Sequence, residues 1–475
     1  MGWDQDALRA QFCHALSEMY KSEVPLYGDL VDLVWHADAK AVQASQELGG
    51  PSVINPDDVL PSRNRVERHG AIRLGTAHEL ATIRRMFAIM GMHPVGYYDL
   101  TTAGFPMHAT AFRPKDRSSL AKHPFRVFTT VLRMELLTER TRQLAQAALN
   151  QRQIFTDRLM ALIDLAEQQN HRLTPQQSAE FIAEGLETFR WHSKATVTMP
   201  EYQLLKAEHP LIADIVSFPS CHINHLTPRT IDIDLVQKLM LDHGMPAKER
   251  IEGPPKRQCP ILLRQTSFKA LEETVYFRDA QGAYVKGSHT ARFGEVEQRG
   301  YALTRKGRQI YDRVLDRVNR EWAEVPPQQS GSGVTYEGLL EKHFVQLPDD
   351  LGLLQAQNLA YFCYRLTGEA EKSLQSGRVV GLESMGLAQL LENKIVECEP
   401  IIYEDFLPLS AGGIFNSNLG NKATQLIMEA DADLDGFQRM LGMSIIDEFH
   451  LYEKMQNDSL ENCRRQLGLQ QMLSV

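Results

Sequence analysis

Arg68-His69-Gly70-Ala71-Ile72-Arg73-Leu74 is followed, after one glycine, by Thr76-Ala77-His78-Glu79, and the fold is read from this junction. Ala71-Ile72-Arg73-Leu74 predicts a short strand. Thr76 ahead of Glu79 is a capping box. The helix it opens turns Leu80, Ile83, Phe87 and Met90 to one face, with Gly91 beyond its end. Extended runs follow at residues 94–100, 107–112 and 125–132, each rich in β-branched or aromatic side chains and bounded by Gly or Pro. The order is βαβββ.

Upstream, Leu8, Phe12, Leu16, Met19 and Tyr20 recur at helical spacing and predict a helix over residues 4–20, with a second over 30–42 and a turn-rich loop at 51–68. Downstream, residues 134–195 read as helices, one starting at Thr174 ahead of Pro175. An extended piece at 220–233, a helix at 235–243 and strands at 261–270, 274–278 and 290–297 then repeat the βαβββ order. Glu324-Val325-Pro326-Pro327-Gln328-Gln329-Ser330-Gly331-Ser332-Gly333 has the composition of a flexible linker. Helices at 336–366, a strand at 400–406 and a helical tail from Leu434 complete the chain. The turn Leu407-Pro408-Leu409-Ser410-Ala411-Gly412-Gly413 ends that strand, and its glycines allow close approach of the backbone to a ligand.

The expected organisation is α+β, integrated in one domain: N-terminal helices and loop (1–67), a first module (68–133), a helical insertion (134–219), a second module (220–323), and a linker, helices and closing strand (324–475). With 475 residues, 43% hydrophobic and 23% charged, the chain has the composition of a packed globular protein. A net charge of -9 with no Lys/Arg run argues against a nucleic-acid partner. The sequence has no apolar stretch of membrane-span length, and Met1-Gly2-Trp3-Asp4-Gln5-Asp6 lacks the start of a signal peptide, so a cytoplasmic protein without a membrane partner is expected. The six cysteines stand singly, as reduced thiols do; Cys221 is given no role.

Three clusters carry groups that suit a metal: Arg68-His69-Gly70, His222-Ile223-Asn224-His225 and Phe293-Gly294-Glu295-Val296-Glu297. Two imidazoles and one carboxylate make the facial triad of a non-haem iron(II) site, which leaves open positions for a chelating substrate and O₂. Any one of these histidines taken alone is more simply a satisfied core or surface residue. Placement at the starts of two repeated modules gives the set its weight. His222 and His225 are three apart and face opposite sides of a strand, so one of them is a ligand; Glu295 and Glu297 share a face, and periodicity does not choose between them. Arg73 lies four residues beyond His69 on the same face, about 13 Å along the strand, and its guanidinium suits a carboxylate. Gln265, Ser267 and Lys269 share one face of a polar strand.

These motifs, with Arg264-Gln265-Thr266-Ser267-Phe268-Lys269 and Tyr403-Glu404-Asp405-Phe406-Leu407-Pro408, resemble the bacterial 2-oxoadipate dioxygenase/decarboxylase family, also called hydroxyglutarate synthase, over nearly the whole chain. The resemblance implies paired βαβββ modules of vicinal-oxygen-chelate type forming a metal-bearing barrel, and one Fe(II) held by His69, His225 and Glu295. It further implies that Arg73, Leu409 and Ser410 contact substrate. The implied reaction takes 2-oxoadipate and O₂ to (R)-2-hydroxyglutarate and CO₂ in lysine catabolism. The implied partners are thus a small 2-oxo dicarboxylic acid and O₂; oligomeric state is left open. The competing readings are a glyoxalase-type metal-dependent isomerase or lyase, and a non-catalytic small-molecule binding protein.

Overall fold

A computed structural model describes residues 4–47, 67–279, 281–325, 335–375, 385–407, 431–471 and 473. Of the expected loop at 51–68, residues 51–66 lie outside the described residues and Glu67 and Arg68 are strand; most of the expected linker and the turn residues from Pro408 on, including Leu409 and Ser410, also lie outside the described residues. The chain divides into two compact units.

The first unit comprises Met1–Glu252, Gln265–Gln298 and Asp405–Ile446. Its first strand, interior to the sheet, is β1 (Glu67–Leu74), all eight residues of which are buried. A strand covered on both faces favours a continuous apolar run. Ala71, Ile72 and Leu74 meet that demand, whereas Arg68, His69 and Arg73 break it, and each polar group so buried needs a partner. After β1 come the helix Ala77–Ile89, β2 (His93–Asp99), β3 (Met107–Arg113) and β4 (Arg126–Leu132), the order expected from the sequence. β2, β3 and β4 form an antiparallel meander, and β4 lies parallel to β1. Thr76 caps the helix by accepting the Glu79 amide at 3.1 Å. The other half of the expected capping box is replaced: Glu79 Oε2 accepts the Gly75 amide at 2.7 Å while both its oxygens accept from Arg152, a charge-assisted contact stronger than a return to Thr76.

Beyond the meander, Thr174 and Gln177 close the capping box of the helix Pro175–Phe189. Residues expected to end the helical stretch instead begin a strand, β5 (Lys194–Thr198). After the helices Met199–Glu208 and Pro210–Val216 come β6 (His225–Pro228), the helix Ile233–Asp242, β7 (Leu263–Ser267), β8 (Glu272–Arg278), β9 (Tyr284–Thr290) and β10 (Glu295–Arg299). One strand more than the expected repeat is present. β8 and β9 form a hairpin that leaves the module to join β5, while β7 pairs with β10. The hairpin turn has Gly282 at φ +84°, a conformation that suits glycine. β6 lies antiparallel beside β1, giving a five-stranded sheet in the order β2-β3-β4-β1-β6, and a bridge from Arg229 to Glu297 continues from β6 to β10. Among the described residues these sheets do not join into one closed barrel; the fold is a mixed helix-and-sheet structure.

The second unit comprises Gly253–Arg264, Arg299–Glu404 and Asp447–Val475. The helices Tyr336–Phe344 and Leu351–Ala356 end before β11 (Phe362–Leu366), which pairs antiparallel with β12 (Val396–Pro400). Residues 362–366 are therefore strand and not the expected end of a helix. Asn358 at φ +50° interrupts the helical path. The expected strand at 400–406 is displaced toward the N-terminus, ending at Pro400. The helical tail is present as Leu434–Leu441, which belongs to the first unit, and Glu448–Gln466, which belongs to the second.

Leu80, Ile83, Met86 and Phe87 of the helix Ala77–Ile89 are fully buried in the first unit's main core. Phe87 meets Phe112 edge-on at 5.2 Å between ring centroids and stacks on Phe189 at 6.3 Å; Phe189 meets Phe12 at 5.9 Å. This cluster pins the helix to β3 and to the N-terminal helix Gln5–Glu23. Phe87→Ala is expected to cost about 3 to 5 kcal/mol of stability, since burial is lost and a cavity remains. Chemical denaturation of the variant beside the parent chain checks it.

Candidate metal centre

Backbone register brings the expected residues together. In the antiparallel pair of β1 and β6, Ala71 faces His225 and His69 faces Thr227. The next segment joins through Phe293 N–H to Asn224 O at 3.1 Å and Thr230 N–H to Glu297 O at 2.8 Å. The Tyr20 hydroxyl sits over this seam, 3.0 Å from Asn224 O and 2.8 Å from Phe293 O. His69, His225 and Glu295 thus project from three neighbouring segments, with one ligand atom from each lying within 4.8 Å of the others. All three are buried. No other such cluster of His, Cys, Asp or Glu occurs among the described residues.

His69 Nδ1 lies 2.9 Å from Glu297 Oε2 and its Nε2 lies 3.1 Å from Glu295 Oε1. A carboxylate only accepts, so Nδ1 carries a proton toward Glu297, and Nε2 is the atom turned to the centre. Glu295 Oε1 also accepts from Gln265 Nε2 at 2.7 Å and from Thr227 Oγ1 at 3.2 Å. Glu295 Oε2 and His225 Nδ1 are buried with no hydrogen-bond partner among the described residues. A buried carboxylate oxygen without a donor is costly, and a cation is the group that would satisfy it. The 3.1 Å between His69 Nε2 and Glu295 Oε1 is close to the roughly 3 Å between adjacent donors that each stand about 2.1 Å from a shared ion. The donor set therefore fits a divalent metal.

Protonation is consistent with that fit. Burial, opposed by Glu295 and reinforced by the charges of His69, Arg73 and Lys248, pushes His225 down to about 3 and keeps it neutral. Burial works against the charge of Glu295, but the imidazoles of His225 and His69, with Lys248, hold its carboxyl below the ordinary range. At His69, burial disfavours the imidazolium, yet Glu297 and Glu295 outweigh it and hold the pKa above its usual value. Metal ligation needs the His69 Nε2 lone pair, so binding would displace a proton there.

The surroundings are aromatic. Phe406 meets the His69 ring edge-on at 4.9 Å and packs on Phe128 at 4.9 Å; Phe293 stacks on His225 at 4.7 Å. Arg113 fixes the segment before Phe406 through a buried two-point contact with Asp405, Nε to Oδ1 at 2.6 Å and Nη2 to Oδ2 at 2.9 Å. Arg73, 4% exposed, contacts Asp214 Oδ2 through Nη1 at 2.5 Å. His222 turns away from the centre to Asp214 Oδ1 at 3.1 Å, as the three-residue offset from His225 requires. Glu297, on the same face as Glu295, meets the opposite nitrogen of the same imidazole. Sequence reasoning did not single out Tyr20, Thr227, Arg113 or Asp214; apart from His222 and Asn224, which reach Asp214 from the segment before β6, the partners in these contacts lie far away in sequence, and no local spacing signals such contacts.

The 2-oxoadipate dioxygenase/decarboxylase family model matches residues 12–418. The chain belongs to that family. It is 49% identical over 462 residues to the 2-oxoadipate dioxygenase/decarboxylase of Escherichia coli K12, covering 96% of this chain and 98% of that one. It is likewise 49% identical over 472 residues to the protein of that name from Pseudomonas putida, covering 98% of each. The crystal structure of the Pseudomonas putida hydroxyglutarate synthase in complex with 2-oxoadipate matches with a TM-score of 0.84 and 47% identity, over 98% of this chain and 99% of that one. No helix among the described residues is long and apolar enough to cross a membrane.

His69→Ala, His225→Ala and Glu295→Ala are each expected to yield protein without stoichiometric metal. Glu297→Gln should still bind metal, with affinity weakened about 10- to 100-fold, because it orients a ligand without being one. Metal content and a competitive chelator titration check both.

Proposed function

We propose that this chain is an Fe(II)-dependent oxidoreductase that converts 2-oxoadipate and O₂ to (R)-2-hydroxyglutarate and CO₂, a step of lysine catabolism in the cytoplasm. The observation that carries the reading is the buried cluster of His69, His225 and Glu295 in a member of the 2-oxoadipate dioxygenase/decarboxylase family. Bound there, Fe(II) supplies a chelating site for a 2-oxo acid and the activation of O₂. The chain does the rest. Glu297 keeps the Nδ1 proton of His69 and so keeps Nε2 as a donor. Arg73 receives a substrate carboxylate, and Leu409 and Ser410 contact the substrate. Phe406, Phe128 and Phe293 exclude water from the oxidising site.

The residues 68–133 and 220–323 are read as paired vicinal-oxygen-chelate-like modules around the metal. The antiparallel pairing of their first strands, β1 and β6, supports that reading.

Atom balance gives a direct test. Carbon 1 leaves as CO₂ with its own two oxygens, carbon 2 gains one oxygen to become a carboxylate, and carbon 3 gains the other as a hydroxyl. No outside reductant is needed. With Fe(II)-reconstituted protein and ¹⁸O₂, both labelled atoms are expected in the hydroxyglutarate and none in CO₂; label in CO₂, or O₂-independent turnover of the kind a glyoxalase-type isomerase shows, would sink the reading.

Arg73→Lys keeps the charge but not the planar fork. Loss of a charge-assisted contact worth about 1.5 to 3 kcal/mol lowers kcat/KM by roughly one to two decades. Steady-state O₂ uptake against 2-oxoadipate concentration measures it.

A further inference from the structure

Asp214 lies on the helix Pro210–Val216 and is 3% exposed. Oδ2 accepts from Arg73 Nη1 at 2.5 Å and from Asn224 Nδ2 at 3.3 Å. Oδ1 accepts from His289 Nε2 at 2.8 Å and from His222 Nε2 at 3.1 Å. His289 Nδ1 in turn lies 2.9 Å from the Tyr202 hydroxyl. The donors arrive from β1, from β9 and from the segment just before β6, and Tyr202 comes from the helix Met199–Glu208.

The chemistry fixes the direction of each bond. A carboxylate only accepts, so both imidazoles present Nε2–H to Asp214, and His289 Nδ1 is then the acceptor for the Tyr202 O–H. Burial keeps the Tyr202 phenol above its ordinary range and so keeps it a donor. Burial also outweighs the pull of Asp214 on His222, which stays neutral. Burial works against the charge of Asp214, but His222 and Arg73 hold its carboxyl well below the usual carboxylate range. The result is one directed chain, Tyr202 to His289 to Asp214, meeting the Arg73 guanidinium at its end.

This chain borders the metal centre. Arg73 shares β1 with His69, its charge bears on His225, and Asn224 immediately precedes His225. On the reading above, in which Arg73 receives a substrate carboxylate, we propose that Asp214 is a positioning residue for substrate binding: backed by His289, Tyr202 and His222, it fixes the Arg73 guanidinium in one orientation for the incoming carboxylate. An arginine that must order itself at each binding event loses rotamer freedom then, whereas one ordered by folding does not. Pairing with Asp214 also cancels much of the long-range charge, so Arg73 selects by bidentate geometry more than by raw attraction.

The test is a double-mutant cycle on the Fe(II)-reconstituted full chain, with O₂ uptake at varied 2-oxoadipate: Arg73→Gln, Asp214→Asn and the pair. Each single variant is expected to retain metal and to raise KM about tenfold or more, the scale of one lost charged contact. The pair should be no worse than Arg73→Gln alone. Tyr202→Phe, which preserves the ring, should raise KM by a smaller factor, and only while Arg73 is present; it also carries the cycle should Asp214→Asn fail to fold. An undiminished effect of Asp214→Asn or Tyr202→Phe in the Arg73→Gln background overturns the proposal alone. An unchanged KM in Arg73→Gln overturns the carboxylate role of Arg73 and this proposal with it. A parent chain that consumes no O₂ with 2-oxoadipate overturns the functional reading on which both rest.

Discussion

Carboxylates buried beside a few cations and imidazoles are the constraint around which the first unit is organised. Glu295, Glu297, Asp214 and Asp405 are each at most 3% exposed. A charge removed from water must be compensated by close partners, and each partner here comes from a different part of the chain. Glu297 reaches across to His69 on β1, Asp214 joins β1, β9 and the segment before β6, and Asp405 ties its segment to the end of β3. Compensation and assembly are therefore the same event. Unpaired, any of these groups would oppose burial of the strands that carry it.

At the centre itself compensation is incomplete. Glu295 Oε1 has donors from Gln265 and Thr227, while Oε2 has none among the described residues. Beside two imidazoles, that imbalance is what a metal cation answers. The aromatic shell acts in the same direction. Phe406, Phe128 and Phe293 lower the local dielectric, which strengthens every electrostatic contact inside it and raises the cost of leaving one unmet. Arg113 and Asp405 hold one wall of that shell by their two-point contact, so a charge pair well outside the donor set shapes the space above it.

Much of the first module was legible because its signals are local. The capped helix with Leu80, Ile83 and Phe87 on one face, and the β-rich runs bounded by Gly and Pro, depend on residues within a few positions of one another. The second module was harder. The β8–β9 hairpin leaves to pair with β5, and residues 362–366 become strand because a partner exists at 396–400. Strand pairing with a distant segment overrides local preference. At the site, alternation showed only that His222 and His225 face opposite sides, and it left Glu295 and Glu297 as equals.

By itself the sequence determined which residue types stand at the starts of two modules, which side chains share a face, and, through its long motifs, the family. Only tertiary structure decided what each polar group meets. It turned His222 to Asp214 and His225 to the cluster, and set Glu295 and Glu297 on opposite nitrogens of one imidazole. The reason is physical. Periodicity specifies a face, whereas a hydrogen bond or a metal ligand needs a distance, and distances between residues hundreds of positions apart are set by strand register and core packing.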